Sequence, residues 1–128
     1  MSGNVLIKKS ANDEIAVECE AGVVVNDYVY INASGKADKA DASSVDTMPC
    51  IGKVFSIKNN ICKIRKVFVE NDYTALPREV LFISDVIAGS LSIDPPTTPN
   101  SVIQPIGLCS VPNQVIVEVN QFDVIIRS

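Results

Sequence analysis

At 128 residues, the chain has room for one domain, or for two small halves that share a core. Its residues are 47% apolar and 20% charged, which excludes a disordered chain, and no apolar run reaches the roughly 18 to 20 residues that span a bilayer. The net charge of −4 argues against nucleic-acid binding, which uses a basic surface.

The opening Met1-Ser2-Gly3-Asn4-Val5 lacks the basic segment and long apolar run of a signal peptide, so synthesis in a cytoplasm is expected. Residues 1–21 read as an N-terminal arm or as the first strands. Within them a strand is predicted at Val5–Lys9. Its apolar stretch Val5-Leu6-Ile7 is either an arm that adds a strand to a neighbour's sheet edge or the first strand of the chain's own barrel. Short runs of Val, Ile, Thr and aromatic residues, broken by Gly, Pro, Asn, Asp and Ser, then predict strands at Ile15–Cys19, Tyr28–Asn32, Ile51–Ile57, Cys62–Val69, Val80–Ser84, Ile103–Cys109, Val115–Val119 and Phe122–Arg127. Val29 and Ile31 fall on one face of the second of these. Cys62 and Ile64 alternate with Lys63 and Arg65, the period of a half-buried strand. Asn59-Asn60 is suited to a hairpin turn, because Asn tolerates positive φ. Ala37–Ser44 is assigned at most one turn of helix. Leu76-Pro77 and the run Asp94-Pro95-Pro96-Thr97-Thr98-Pro99 read as loops.

The chain also resembles itself. Tyr28-Val29-Tyr30-Ile31-Asn32, Gly35-Lys36-Ala37 and Cys50-Ile51-Gly52-Lys53-Val54 are echoed by Val80-Leu81-Phe82-Ile83-Ser84, Gly89-Ser90-Leu91 and Pro105-Ile106-Gly107-Leu108-Cys109. The offsets run from 52 residues (Tyr28 to Val80) to 55 (Ile51 to Ile106), as two copies of one unit require. Each Ile-Gly pair is read as a bulge or tight bend. The expected fold is all-β: a small β-barrel or β-tulip-like domain with two internally repeated halves and little helix. The repeats are assigned to 22–75 and to 76–128, the latter including a C-terminal strand.

The run from Tyr28 through Asn32-Ala33-Ser34-Gly35-Lys36-Ala37-Asp38 to Ser43, followed by Pro49-Cys50-Ile51-Gly52-Lys53-Val54, resembles the repeated β modules of tailed-bacteriophage virion proteins, among them capsid decoration (cement) proteins and the bases of head and tail fibres. The resemblance covers about residues 22 to 119. It implies a non-catalytic virion protein, made in the host cytoplasm and carried on the capsid exterior. It further implies the major capsid protein as partner and a homo-oligomer, a trimer by preference. A fibre base, or a receptor- or carbohydrate-binding module, is the alternative.

Enzyme chemistry finds little support in the residues. Histidine is absent, which removes the commonest general base and excludes serine triads that use it. No phosphate-binding or dinucleotide glycine cluster occurs. The carboxylates fall mainly in turns or near strand ends, where solvation is their ordinary fate. The four cysteines, Cys19, Cys50, Cys62 and Cys109, sit among apolar neighbours without a close pair. They read as buried thiols, with no metal site, cofactor or disulfide framework expected.

Charge is unevenly placed. Lys53, Lys58, Lys63, Arg65 and Lys66 form a stretch without an acid, and Asp13, Glu14, Glu18 and Glu20 a stretch without a base. Two readings stand: complementary patches that orient protomers or dock on a lattice, or ordinary solvated strand faces. With Val5, Leu6 and Ile7, the five basic residues are the candidate partner-binding set. The loops Ala33–Met48 and Ala88–Pro99, long and polar, are the candidate outer surface.

Overall fold

A computed structural model describes residues 14–71 and 73–127. The predicted strand Val5–Lys9, with the candidates Val5, Leu6 and Ile7, lies outside them.

The chain is all-β. Five strands, β1 (Glu14–Glu18), β2 (Tyr28–Ile31), β3 (Ala37–Lys39), β4 (Gly52–Lys58) and β5 (Ile61–Arg65), form one antiparallel sheet in the order β1-β5-β4-β2-β3. A second sheet takes β6 (Val67–Glu70), β7 (Val80–Ile83), β8 (Leu91–Ser92), β10 (Pro105–Val111) and β11 (Gln114–Glu118) in the order β6-β11-β10-β7-β8. The remaining strands, β9 (Val102–Ile103) and β12 (Ile125–Ile126), pair with each other. With β9 set aside, each strand of the second sheet sits where its counterpart sits in the first.

Local devices repeat as well. The Asp27 carboxylate accepts from the Val24 N–H at 2.9 Å, and the Glu79 carboxylate from the Leu76 N–H at 2.7 Å. Asn26 and Arg78, one position earlier in each copy, both take positive φ, 84° and 77°. After β2, Asn32 Oδ1 accepts from Ser34 and Lys36; after β7, Ser84 Oγ accepts from Val86 and Ile87. Either side chain satisfies turn N–H groups that would otherwise lack partners. Strand pairing divides the copies after Arg65, giving β1 to the first and Val67–Glu70 to the second. The repeat read from the sequence places that boundary between 75 and 76.

The two Ile-Gly pairs occupy matching places, since Gly52 lies opposite Val29 and Gly107 opposite Leu81. Their reason is close approach. A Cβ on Gly52 would stand 2.6 Å from the Arg65 carbonyl oxygen, and one on Gly107 would stand 2.8 Å from Val115 Cγ1. Bulges follow in both hairpins, between Val54 and Ser56 and between Cys109 and Val111.

Several elements differ from the sequence expectation. Cys62–Val69 is two strands, because Ile61–Arg65 pairs with β4 and β1 while Val67–Glu70 crosses to β11. Ala37–Lys39 is a strand paired with β2, not a turn of helix, and a single 3-10 turn comes later at Val45–Thr47. Ile103–Cys109 is interrupted at Gln104. The buried amide of Gln104 accepts from the Cys50 N–H at 2.8 Å and donates to the Cys50 carbonyl at 2.9 Å, so a side chain takes the place of a strand partner. The predicted Phe122–Arg127 strand shrinks to Ile125–Ile126, because the chain turns at Asn120. A closed barrel is not formed by a continuous ladder. The edges of the first sheet meet at one parallel bridge, Cys19 to Ala37, where the Glu20 N–H donates to the Ala37 carbonyl at 2.9 Å.

Two clusters make the core. One lies within the first sheet around Val29, Val54, Cys62 and Ile64. The larger joins both halves, with Tyr28, Tyr30, Met48 and Cys50 against Leu81, Ile83, Ile106, Val115 and Val117. β2 is therefore covered on both faces, which explains its unbroken apolar run Tyr28-Val29-Tyr30. Ile31, expected beside Val29, is 40% exposed at the strand's end.

Candidate docking site

The β4–β5 hairpin closes with Asn59 and Asn60 at φ 54° and 64°, the two positive values that a two-residue type I′ turn requires. It carries most of the basic residues singled out above, and the structure does not assemble them into a patch. Lys53 is buried, 7% exposed. Its Nζ lies 2.6 Å from Glu70 Oε1 and over the rings of Phe55, Phe68 and Tyr28 at 5.5, 5.5 and 5.9 Å. The Tyr28 hydroxyl donates to the same carboxylate oxygen at 3.3 Å. Lys53 and Glu70 thus tie β4 of the first sheet to β6 of the second, and that charge is not offered to a partner.

Arg65 stacks on Phe55 at 4.5 Å and donates to Glu14 at 3.2 Å, its direct neighbour across β1 and β5. Lys66 donates to Gln121 Oε1 at 2.8 Å. Glu18 faces Lys36 at 3.5 Å. Glu14 and Arg65 are therefore cross-strand neighbours in one molecule, and Glu18 is balanced there by Lys36. Of the five basic residues, only Lys58 and Lys63 make no hydrogen bond or ion pair among the described residues.

Beside the Lys53–Glu70 pair opens a cleft of about 640 Å³ between the two halves, lined among others by Asn26, Phe55, Asn71, Tyr73, Ser90 and Leu91. The Tyr73 hydroxyl donates to the Leu91 carbonyl at 3.3 Å. Burial pushes the phenols of Tyr28 and Tyr73 above their ordinary range, with Glu70 adding to the effect on Tyr28 and Glu79 to that on Tyr73. Both stay neutral hydrogen-bonding groups at neutral pH. All four cysteines are free and buried. Burial pushes the Cys50 and Cys62 thiols up to about 12, which removes the thiolate that nucleophilic chemistry needs. Among the described residues no group of three or more Cys, Asp or Glu side chains could hold a metal ion.

The outer face of the second sheet has a different character. Val80, Leu108, Ile116 and Val69 are direct cross-strand partners on four adjacent strands, β7, β10, β11 and β6. They are 39, 48, 49 and 50% exposed. Val67, also exposed, extends the patch along β6. The inward alternates Leu81, Val115 and Val117 are fully buried, so the strand period leaves these aliphatic groups outside by geometry. A contiguous apolar row of this kind is uncommon on a monomer surface, which makes it a candidate docking face. Sequence reasoning missed it because Val67 and Val69 fell at the end of the predicted strand Cys62–Val69 with no face assigned to them. The available signal was Gln114-Val115-Ile116-Val117-Glu118, where the strand period sets Ile116 on the same face as the polar Gln114 and Glu118.

Next to this row lies a hollow of about 290 Å³, lined by Pro105, Ile106, Gly107, Leu108, Ile116, Glu118 and Asp123. Phe122, 84% exposed, sits at the tip of the adjoining turn. There Asn120 Oδ1 accepts from the Phe122 N–H at 2.9 Å, and the Asn120 carbonyl accepts from the Asp123 N–H at 3.1 Å.

Compared with known proteins, the chain matches no family model, no curated protein and no solved structure.

Proposed function

We propose that this chain is a non-enzymatic virion structural protein that binds the outer capsid surface and stabilises the head by bridging major capsid subunits. The observation that carries the docking part is the exposed row Val80–Leu108–Ile116–Val69, set on a rigid four-strand platform. Burying such a row against a partner releases about 25 cal/mol per Å² of apolar surface. A sheet face is already ordered, so little conformational entropy is lost on docking. The virion setting comes from the resemblance of residues 22 to 119 to phage decoration modules, which also supplies the trimer.

The test is cosedimentation of the purified chain with expanded heads built from the major capsid protein of the same genome, with light scattering for the oligomeric state. Wild type is expected to sediment with the heads, and the folded double variant Leu108→Asp/Ile116→Asp to stay in solution. Wild type that ignores the heads, or a variant that binds as well as wild type, refutes the reading. One observation favours the alternative of a carbohydrate-binding module. The cleft beside Lys53 places Tyr73 among Asn26, Asn71 and Ser90, an aromatic and amide lining of the sort that sugars use. Glycan binding lost in Tyr73→Ala would shift the assignment there.

A further inference from the structure

We infer that the hollow between Leu108, Ile116 and the Asn120–Asp123 turn receives a partner segment bearing an aliphatic side chain beside a lysine or arginine. This rests on the docking reading above and adds the partner's chemistry. The hollow's walls are aliphatic, and the only charges among its lining residues are the two carboxylates of Glu118 and Asp123. Neither side chain makes a hydrogen bond or ion pair among the described residues. Two unpaired carboxylates beside an apolar hollow favour a cation that arrives attached to apolar surface, since the hollow takes the stem and the rim takes the head group.

The same charges argue against a second copy of this chain as occupant. A twofold contact through this face would bring Glu118 and Asp123 of one molecule toward those of the other, and like charges in an interface oppose association. Phe122 completes the site. It stands out from a turn held by two hydrogen bonds that Asn120 accepts, so it is presented with little freedom to lose, as an aromatic anchor should be.

Methyl-resolved NMR of the full chain tests this with three synthetic peptides that differ only at their second and fourth residues: Leu-Arg-Leu-Arg, Leu-Gln-Leu-Gln and Leu-Glu-Leu-Glu. The arginine peptide is expected to shift the Leu108 and Ile116 methyl signals saturably, with weaker binding at higher salt. The folded variant Glu118→Gln/Asp123→Asn should bind it roughly three- to tenfold more weakly, the scale of two rim charges. If the glutamine or glutamate peptide binds equally well at the same methyls, the docking face stands and the proposed preference for a cation is overturned. If no peptide moves Leu108 or Ile116, the hollow is not a binding site and the docking reading loses its anchor. A dimer in light scattering that Ile116→Asp abolishes would make the occupant a second copy and overturn the proposal.

Discussion

The Lys53–Glu70 pair is the clearest point at which one local change should reach the whole molecule, because it joins the two sheets. Glu70→Gln keeps an oxygen for the Tyr28 hydroxyl but leaves the lysine without its counter-charge. The side chains of Lys53 and Glu70 are 9% and 20% exposed. Breaking a fully buried pair costs about 3–5 kcal/mol, and the partial solvent access of Glu70 reduces this to about 2–3 kcal/mol. Lys53→Met is milder, about 1–2 kcal/mol, because the carboxylate keeps the Tyr28 hydroxyl and some water. The double variant Lys53→Met/Glu70→Gln removes both charges, places an aliphatic chain among Tyr28, Phe55 and Phe68 and keeps an oxygen for the Tyr28 hydroxyl, so it should fall within about 1 kcal/mol of wild type. Urea unfolding at neutral pH reads all four proteins. With a slope of about 1.5–2 kcal/mol per molar, Glu70→Gln should lower the midpoint by about 1 to 2 M. The coupling energy of the cycle is then about 2 kcal/mol or more. If the two single losses simply add in the double variant, the pair contributes no mutual stabilisation and the reasoning fails.

Three further outcomes follow from the geometry. Gly52→Ala places a Cβ 2.6 Å from the Arg65 carbonyl oxygen and should cost about 2–3 kcal/mol in thermal or urea unfolding, whereas Gly22→Ala, with no atom within 4 Å of its Cβ, should be neutral or stabilising by about 0.5 kcal/mol. Gln104→Leu removes both hydrogen bonds to the buried Cys50 backbone and should destabilise by about 2–4 kcal/mol, seen as a lower unfolding midpoint and faster amide exchange at Cys50. Tyr28 has a folded pKa above its unfolded value of about 10, so its contribution to stability is complete below about pH 10 and is lost as pH rises further. Ultraviolet titration should accordingly show Tyr28 ionising only as the chain unfolds in alkali.

The division between what was legible in the sequence and what was not follows the range of the forces involved. Strand period, turn chemistry and the duplication are written locally. Cys62 and Ile64 alternate with Lys63 and Arg65 and lie in the core. Asn59 and Asn60 take the φ values their side chains allow, and Asp27 and Glu79 close the same turn 52 residues apart. The all-β fold was determined at this level, because each of these choices depends on a residue and its near neighbours.

Other features depend on which strand lies beside which, and here local patterns mislead. The acidic stretch before Cys19 and the basic stretch around Lys63 looked like outward-facing patches. Antiparallel pairing of β1 with β5 sets Glu14 against Arg65 instead. Lys53 looked solvated from its composition, yet the meeting of the two sheets buries it on Glu70 and three rings. Leu108 and Ile116 lay in predicted strands with no face assigned to them, and the strand period turns them outward on a face that stays exposed among the described residues. Alternation states that two sets of residues face opposite ways. Only the packing of the second sheet against the first decided which set met the core and which was left as surface.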